Sequence, residues 1–535
     1  MAPTHGAAPH RPARRRNPLG IPKRITVTTA SILAVLGAWL GFANPLYRLP
    51  ILALLLPAGL ILTSVRAPST KAAAKAGFGI GALSACGTLY WAALPVHDFG
   101  NLAWPLAVPV PILMGMVLGV YTTLLAIVLH AVANRLSPWL FGPMAGLAWA
   151  TMEMARGTLL TGFPWLTLSA AFSPWPMAIQ AAAYIGAYGL SGLLAGLVAW
   201  LAIQGPLSRQ GLTALALGTG LFVLGNQRAA EPAPKDASIH VTIVQGNVDQ
   251  NRKWDPAAQQ ETVDKYLDLT RAALKDAPTE LVVWPETAMP FYFQDHGPLS
   301  QRLTDFVAET KVPLVFGAPA YERPKTGSPV LFNRAYLVMP SGQEATYDKE
   351  HLVPFGEYVP LGDYFTFVHK LVDGVGDFLP GHAEASLQDG RLALGALICY
   401  EAIFPELAQK RVEAGANILV NISNDAWFGD SAAPLQHLDL ALLRAVEQGR
   451  ALIRGTNTGI SAVIDPRGHI IAQGGLFAAL TLPCPEVPIV SETTWFHRHY
   501  TLVTWGIPSL FLAIGLLGIL SPARRTTGIG RDKTL

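Results

Sequence analysis

The chain has 535 residues, more than one ordinary hydrophobic core accommodates, so at least two folding units are expected. Hydrophobic residues make up 51% and charged residues only 14%, against about 25% charged in soluble proteins, which points to membrane spans. The formal net charge of +3 is too small to argue for nucleic-acid binding, and three cysteines without a CxxC pair speak against a disulfide scaffold or a cysteine metal site.

Residues 1–24 form a basic tail carrying Arg11, Arg14, Arg15, Arg16 and Lys23. A basic run before an apolar one also has the form of a signal peptide. The apolar segment here is long and others follow it, so an uncleaved first helix is expected. A bilayer crossing takes about 20 apolar residues. Eight runs are candidates: 25–43, 49–65, 74–94, 109–132, 140–154, 178–203, 212–225 and 502–520, the fifth and seventh being short. Lys and Arg gather before the first run, in alternate connections at Arg66, Lys71, Lys75, Arg135 and Arg209, and after the last run. The positive-inside rule then puts both termini in the cytoplasm and the long segment before the eighth run outside it. The expected organisation is a membrane domain of seven helices over 25–228, a linker over 229–237, an extracytoplasmic domain over 238–494, an eighth helix over 500–521 and a second cytoplasmic tail over 522–535. Glu153 and Arg156, three residues apart near the end of the fifth run, are either an intramembrane functional pair or a pair satisfied between helices. The loop over 160–165, with Pro164 and Trp165, reads as an interfacial anchor.

From residue 238 the pattern alternates between strand and helix. Apolar or β-branched stretches over 238–245, 280–284, 312–316, 332–338, 392–398, 418–422, 451–455 and 461–464 read as strands. Helical periodicity covers 255–274, 299–309, 405–413 and 435–449. Strands apolar on both faces are those of a sheet covered by helices, so the domain is of the α/β class. The stretch 365–382, with Gly374, Gly376 and Gly381, is either a mobile lid that dips into lipid through Phe365, Phe367, Val368, Leu371, Phe378 and Leu379, or a loop whose apolar residues pack on the domain.

Three strand ends or adjacent loops carry reactive groups. Glu286 follows the strand that ends in Trp284 and Pro285. Lys349 and Glu357 lie in the stretch 347–357. Cys399 closes the run 394–398 and is followed by Tyr400 and Glu401. A thiol with its usual pKa near ~8.5 needs a base or a cation to become a nucleophile, and a desolvated Glu286 could act as that base. Lys349 would favour the thiolate and then an oxyanion, with the Tyr400 N–H as a second donor. Glu357 and Glu401 would keep Lys349 charged and oriented. The groups are expected to converge at one edge of a sheet; a buried, inert Cys399 and a Cys399–Cys484 disulfide remain open alternatives.

The segments Trp284-Pro285-Glu286-Thr287, Lys349 through Glu357 (KEHLVPFGE) and Cys399-Tyr400-Glu401, in this order, resemble the nitrilase, or carbon–nitrogen hydrolase, superfamily. With the flanking apolar runs, the whole chain after the basic tail resembles the apolipoprotein N-acyltransferase family. Gln245-Gly246-Asn247 with Lys253-Trp254, the TGFPW loop, NDAWFG over 424–429 and RGTNTG over 454–459 agree with it. The resemblance implies a polytopic α-helical membrane protein of eight spans carrying an α-β-β-α sandwich. It implies Glu286 as base, Lys349 as stabiliser and Cys399 as nucleophile, with Glu357, Tyr400 and Glu401 in support and Trp254, Asn424, Trp427 and Phe428 shaping a lipid-facing pocket. The implied reaction moves an acyl chain from a phospholipid, phosphatidylethanolamine being the expected donor, through a Cys399 thioester to the α-amine of a diacylated apolipoprotein. No metal, cofactor or nucleic acid is implied, and the implied location is the bacterial inner membrane with the catalytic domain on the periplasmic side. The alternatives are a membrane-tethered amidase or nitrilase-type hydrolase, with water as acceptor, and a non-catalytic binding domain.

Overall fold

The computed structural model describes residues 26–250, 252–324, 328–358, 378–382 and 385–521. Each of the eight apolar runs coincides with a helix: Val27–Gly41, Leu55–Arg66, Thr70–Thr88, Pro109–Val132, Pro138–Thr158, Ala182–Gln204, Arg209–Ala230 and Tyr500–Leu520. Among the described residues, the segments Trp104–Val132, Ala182–Gln204 and Tyr500–Leu520 are long and apolar enough to cross a bilayer. Thr70–Thr88 and Tyr90–Asp98 qualify only as a pair bent by 64°, so the run expected as one span over 74–94 is broken. The Arg209–Ala230 helix runs into the expected linker, and the first strand starts at Ala237.

The α/β domain is two six-stranded sheets. The first contains β1 (Ala237–Gln245), β2 (Leu281–Val283), β3 (Leu314–Glu322), β4 (Val330–Val338), β5 (Glu344–Asp348) and, at its far edge, β12 (Leu480–Ile489), in the order β12-β1-β2-β3-β4-β5. The second contains β6 (Leu387–Asp389), β7 (Leu392–Ile398), β8 (Ile418–Ser423), β9 (Leu452–Thr456), β10 (Ala462–Ile464) and β11 (Ile470–Gln473), in the order β11-β10-β9-β8-β7-β6. In each sheet three central strands run parallel, β1-β2-β3 and β7-β8-β9, and the outer strands are antiparallel.

The inner faces bury one apolar core, in which Ile239, Val241, Leu281 and Val283 meet Leu394, Ile398, Val420 and Ile453. The outer face of the first sheet is covered by the helices Pro256–Asp276 and Pro298–Thr310, through Tyr266, Leu267, Phe306 and Val307. The layering is therefore α-β-β-α, and strands covered on both sides are apolar throughout for that reason.

The outer layer of the second sheet is Pro405–Glu413 and Ala433–Gln448, and its core is continuous with that of the membrane helices. Every residue from Gln436 to Gln448 is buried, charged ones included. Gln436 is the joint. Its Oε1 accepts from the indole N–H of Trp91 (3.0 Å) and of Trp165 (2.8 Å), and its Nε2 donates to the carbonyls of Ala43 (3.0 Å) and Thr88 (3.2 Å). Asp439, on the same helix as Gln436, pairs with Arg48 from the connection after the first helix. About two turns further on, Glu447 accepts from the N–H of Ala187 at 2.6 Å, just past the break at Gly186 (φ +67°). A side chain at Gly186 would meet the Phe496 ring at 2.5 Å, so both the backbone and the close approach call for glycine.

Gln436→Leu strands two indole donors and two carbonyls in a buried site. A loss on the order of 3 kcal/mol is expected, read as a lower unfolding midpoint of the detergent-solubilised chain.

Candidate active site

Glu286 lies just beyond β2, where Pro285 lacks the N–H needed to continue the ladder. Lys349 directly follows β5, and Cys399 directly follows β7. The first two leave the first sheet and the third leaves the second. The groups thus meet between two sheets, not along one sheet edge as expected from the sequence, because β7 belongs to the second half of the sandwich.

The cluster is buried: Lys349 is 1%, Glu286 7% and Cys399 9% exposed. Lys349 Nζ is 2.9 Å from the Glu357 carboxylate and 3.8 Å from Glu286 Oε1. Asn333 on β4 donates to Glu286 Oε1 at 2.7 Å and to Glu357 Oε1 at 2.8 Å, so one amide holds both carboxylates at the ammonium. Burial opposes the charge of Lys349, but Glu357, Glu286 and Cys399 outweigh it, and the ammonium is held above its usual range. Burial raises the Glu286 carboxyl, with Lys349 pulling it down and Glu357 pushing it up. Burial and then the Glu286 carboxylate push the Cys399 thiol up to about 12, against the pull of Lys349. The resting sulfur is therefore a thiol, and nucleophilic reaction at it would require a neighbouring base to take its proton.

Cys399 sits at φ +52°, in the left-handed region that a side chain disfavours. Its carbonyl accepts from Asn421 Nδ2 (3.3 Å) and His437 Nε2 (3.2 Å). Behind His437 lies a buried network of Asp425, Arg454 and Ser423, with Arg454 Nη2 2.7 Å from Asp425 Oδ2. Burial would raise the Asp425 carboxyl, but Arg454 and His437 hold it well below the usual range.

Glu401 secures the turn from the other side. Its Oε1 accepts from Tyr347 Oη (2.8 Å) and the N–H groups of Glu350 (2.7 Å) and His351 (3.0 Å), and its Oε2 from the N–H of Ile398 (2.7 Å). It therefore ties the cysteine turn to the loop carrying Lys349. Its contact with that loop is made through main-chain N–H groups, beside a charge interaction with Lys349 itself. Tyr400 turns away from the cluster, and its hydroxyl donates to the carbonyl of Gly162 at 3.1 Å. Gly162 belongs to the loop read from sequence as an interfacial anchor. Trp165 of that loop is 2% exposed and packs near Tyr400 and His437, so the loop docks on the catalytic domain instead.

The expected pocket residues divide. Trp427 packs edge-on against Phe99, and Phe428 against Trp91 and Trp165, all on the membrane-helix side. Asn424 is buried, donating to Gln250 Oε1 at 2.7 Å and accepting from Asn457 Nδ2 at 3.3 Å. Trp254 is half-buried. Most of the expected lid, including Phe365, Phe367, Val368 and Leu371, lies outside the described residues. At its far end the N–H of Phe378 donates to Glu357 O (3.1 Å) and that of Gly381 to Lys349 O (2.8 Å). Cys86, Cys399 and Cys484 are all free, which removes the disulfide alternative. Glu153 accepts from the Trp149 indole N–H and the Leu168 N–H within the membrane domain, and Arg156 donates to Leu166 O.

Sequence reasoning did not single out Asn333, His437 or Gln436. Asp425 stood inside a quoted motif without a role, and its place beside a buried Arg was the missing signal.

A buried Glu, Lys and Cys on two sheets of an α-β-β-α sandwich define a carbon–nitrogen hydrolase domain, and the model of that family matches residues 240–482. A second family model, the apolipoprotein N-acyltransferase N-terminal domain, matches residues 36–201. An apolipoprotein N-acyltransferase of Geobacter metallireducens is 39% identical over 489 residues, covering 89% of this chain and 92% of the relative. Those of Nitrosomonas europaea and Azotobacter vinelandii are 33% and 36% identical, covering 91% and 90% of this chain and 96% and 92% of their own. The chain belongs to the apolipoprotein N-acyltransferase family.

Asp425→Asn leaves the Arg454 guanidinium buried without its counter-charge, and a cost of roughly 3–5 kcal/mol is expected in the unfolding midpoint. Combining it with Arg454→Met should recover part of that loss.

Proposed function

We propose that Cys399 is the acyl-accepting nucleophile of this acyltransferase, that Glu286 is its general base and that Lys349 stabilises the intermediates. The observation that supports this reading is the meeting of the three groups in one buried cluster, with the thiol protonated at rest and a carboxylate of raised pKa beside it. Glu286 takes the proton from Sγ as sulfur attacks the ester carbonyl of a phospholipid. Lys349 and the Tyr400 N–H stabilise the oxyanion. The tetrahedral intermediate collapses to the Cys399 thioester, and the leaving lysophospholipid alkoxide takes the proton back from Glu286.

In the second half the free α-amine of a diacylglyceryl-cysteine at a lipoprotein N-terminus attacks the thioester. Glu286 accepts the amine proton and returns it to the departing sulfur. Splitting the transfer through a covalent intermediate replaces one difficult step by two easier ones. The chain acts on lipid and lipoprotein substrates; phosphatidylethanolamine as donor is part of the proposal, as are the pocket roles of Trp254, Asn424, Trp427 and Phe428.

The proposed arrangement in the cell is a multi-pass protein of the bacterial inner membrane with eight spans, both termini cytoplasmic and the sandwich on the periplasmic side. It rests on the charge asymmetry of the connections. Both substrates are lipids, and pulling an acyl chain into water costs about 0.8 kcal/mol per CH₂, so a membrane-held site removes that cost. The hydrolase alternative differs only in the acceptor.

Incubation of the purified chain with phosphatidylethanolamine and no lipoprotein should leave a fatty acyl mass on the Cys399 peptide. Glu286→Gln should lower its rate of formation by at least ~10²-fold. Adding an acceptor lipopeptide should discharge it as amide; release only as free fatty acid would favour the hydrolase, and full transfer by Cys399→Ser would refute the mechanism.

The pH dependence has a definite sign. Glu286 must be ionised to accept a proton, and its carboxyl is raised by burial. The rate of acyl-enzyme formation should fall as pH drops, with a midpoint above the ordinary Glu value of about 4.3.

A further inference from the structure

Lys253 stands beside Trp254 in one of the quoted motifs, and the mechanism above makes no use of it. Its side chain is 1% exposed, and Nζ lies 3.4 Å from the main-chain oxygen of Glu286. A buried ammonium on a flexible stem is unfavourable unless charge or hydrogen bonds compensate it. Among the described residues, the ionised group that acts on Lys253 is the Glu286 carboxylate.

The charged and titratable surroundings of Glu286 come from several elements. Lys349, after β5, is 3.8 Å from Oε1, and Glu357 pairs with that same Lys349. Asn333 on β4 donates to Oε1. Cys399, after β7, interacts with Glu286, and Lys253 approaches its main chain. Two carboxylates, Glu286 and Glu357, thus share the buried site with two ammonium groups, Lys349 and Lys253. Lys349 is held closer to Glu357 than to Glu286. Without Lys253 the charged groups acting on Glu286 would be Lys349 and Glu357, whose effects oppose one another, and burial would favour the protonated carboxyl.

We propose that Lys253 is a positioning residue for the base: a second buried cation that keeps Glu286 ionised in the resting enzyme. It thereby sets the pH above which the Cys399 proton can be taken. This rests on Glu286 being the base. Burial draws the Lys253 ammonium down to about 8, so it remains charged at neutral pH, where the base must work.

The test is the rate of iodoacetamide labelling at Cys399 against pH, read by peptide mass spectrometry on the full chain in detergent. This readout does not depend on lipid chemistry. Wild type should lose labelling below a midpoint on the acid side, and Glu286→Gln should remove that midpoint, leaving slow labelling that rises about tenfold per pH unit with the thiolate fraction. Lys253→Met should move the limb up by about one pH unit, and Lys253→Arg should leave it near wild type. Should Lys253→Met not fold, Lys253→Gln reads the same shift. A limb unmoved in the neutral Lys253 variant but absent in Glu286→Gln overturns this proposal and leaves the base in place; a lower rate without a shift does the same. A limb that keeps the wild-type midpoint in Glu286→Gln overturns both.

Discussion

The catalytic half of the molecule is arranged around one buried ammonium. Lys349 is almost fully enclosed, and an enclosed charge is tolerated only where geometry supplies opposite charge at close range. Glu357 and Glu286 supply it, and Asn333 fixes both carboxylates with one amide. That requirement explains why three strand ends must close on the same point, and why the loop after β5 folds back so that Val353 N–H can hold Glu357 Oε2 at 2.8 Å. It also makes the cluster intolerant of partial change. Removing either carboxylate leaves a charge without compensation in a largely buried site.

The cysteine turn depends on a second constraint, the left-handed backbone at Cys399. Such a conformation persists only where its surroundings over-determine it. Here Asn421 and His437 hold the carbonyl, and Glu401 holds the N–H of Ile398 on the strand before. Two of these supports lead to other layers. Glu401 reaches the Lys349 loop, and His437 lies on a helix whose preceding residue, Gln436, is bonded to the membrane helices. The geometry of Cys399 is thus tied to the docking of the membrane domain through adjacent residues of one helix.

Much of this was legible in the chain. Apolar strands ending just before Glu286 and Cys399 showed themselves by pattern, and so did the helical character of all eight apolar runs; the short strand Glu344–Asp348 before Lys349, half-exposed and mostly polar, did not. The meeting of the three groups between two sheets was not legible, because strand order across a sandwich leaves no trace in local periodicity. Nor was the role of Gln436. Its four partners, Ala43, Thr88, Trp91 and Trp165, lie hundreds of residues away, and a glutamine in a helix reads as surface. The loop at Trp165 was misread for the related reason that an aromatic near a membrane helix fits a bilayer interface as well as a buried joint.

The same enclosure bears on the choice between amine and water as acceptor. The triad of a hydrolase and that of a transferase differ little in chemistry, since either nucleophile can attack a thioester. What separates them is access. Cys399 is 9% exposed, and the turn that carries it is closed on one side by the Tyr400 hydroxyl on Gly162 and by Trp165. A site so shielded limits the water that can reach the acyl carbon. An acceptor anchored in the bilayer by its own acyl chains is concentrated beside the membrane domain, and its amine gains effective molarity that bulk water lacks. On the proposed mechanism the membrane helices would bear on the reaction outcome as well as on attachment, since the joint at Gln436 seats the sandwich where such an acceptor is held.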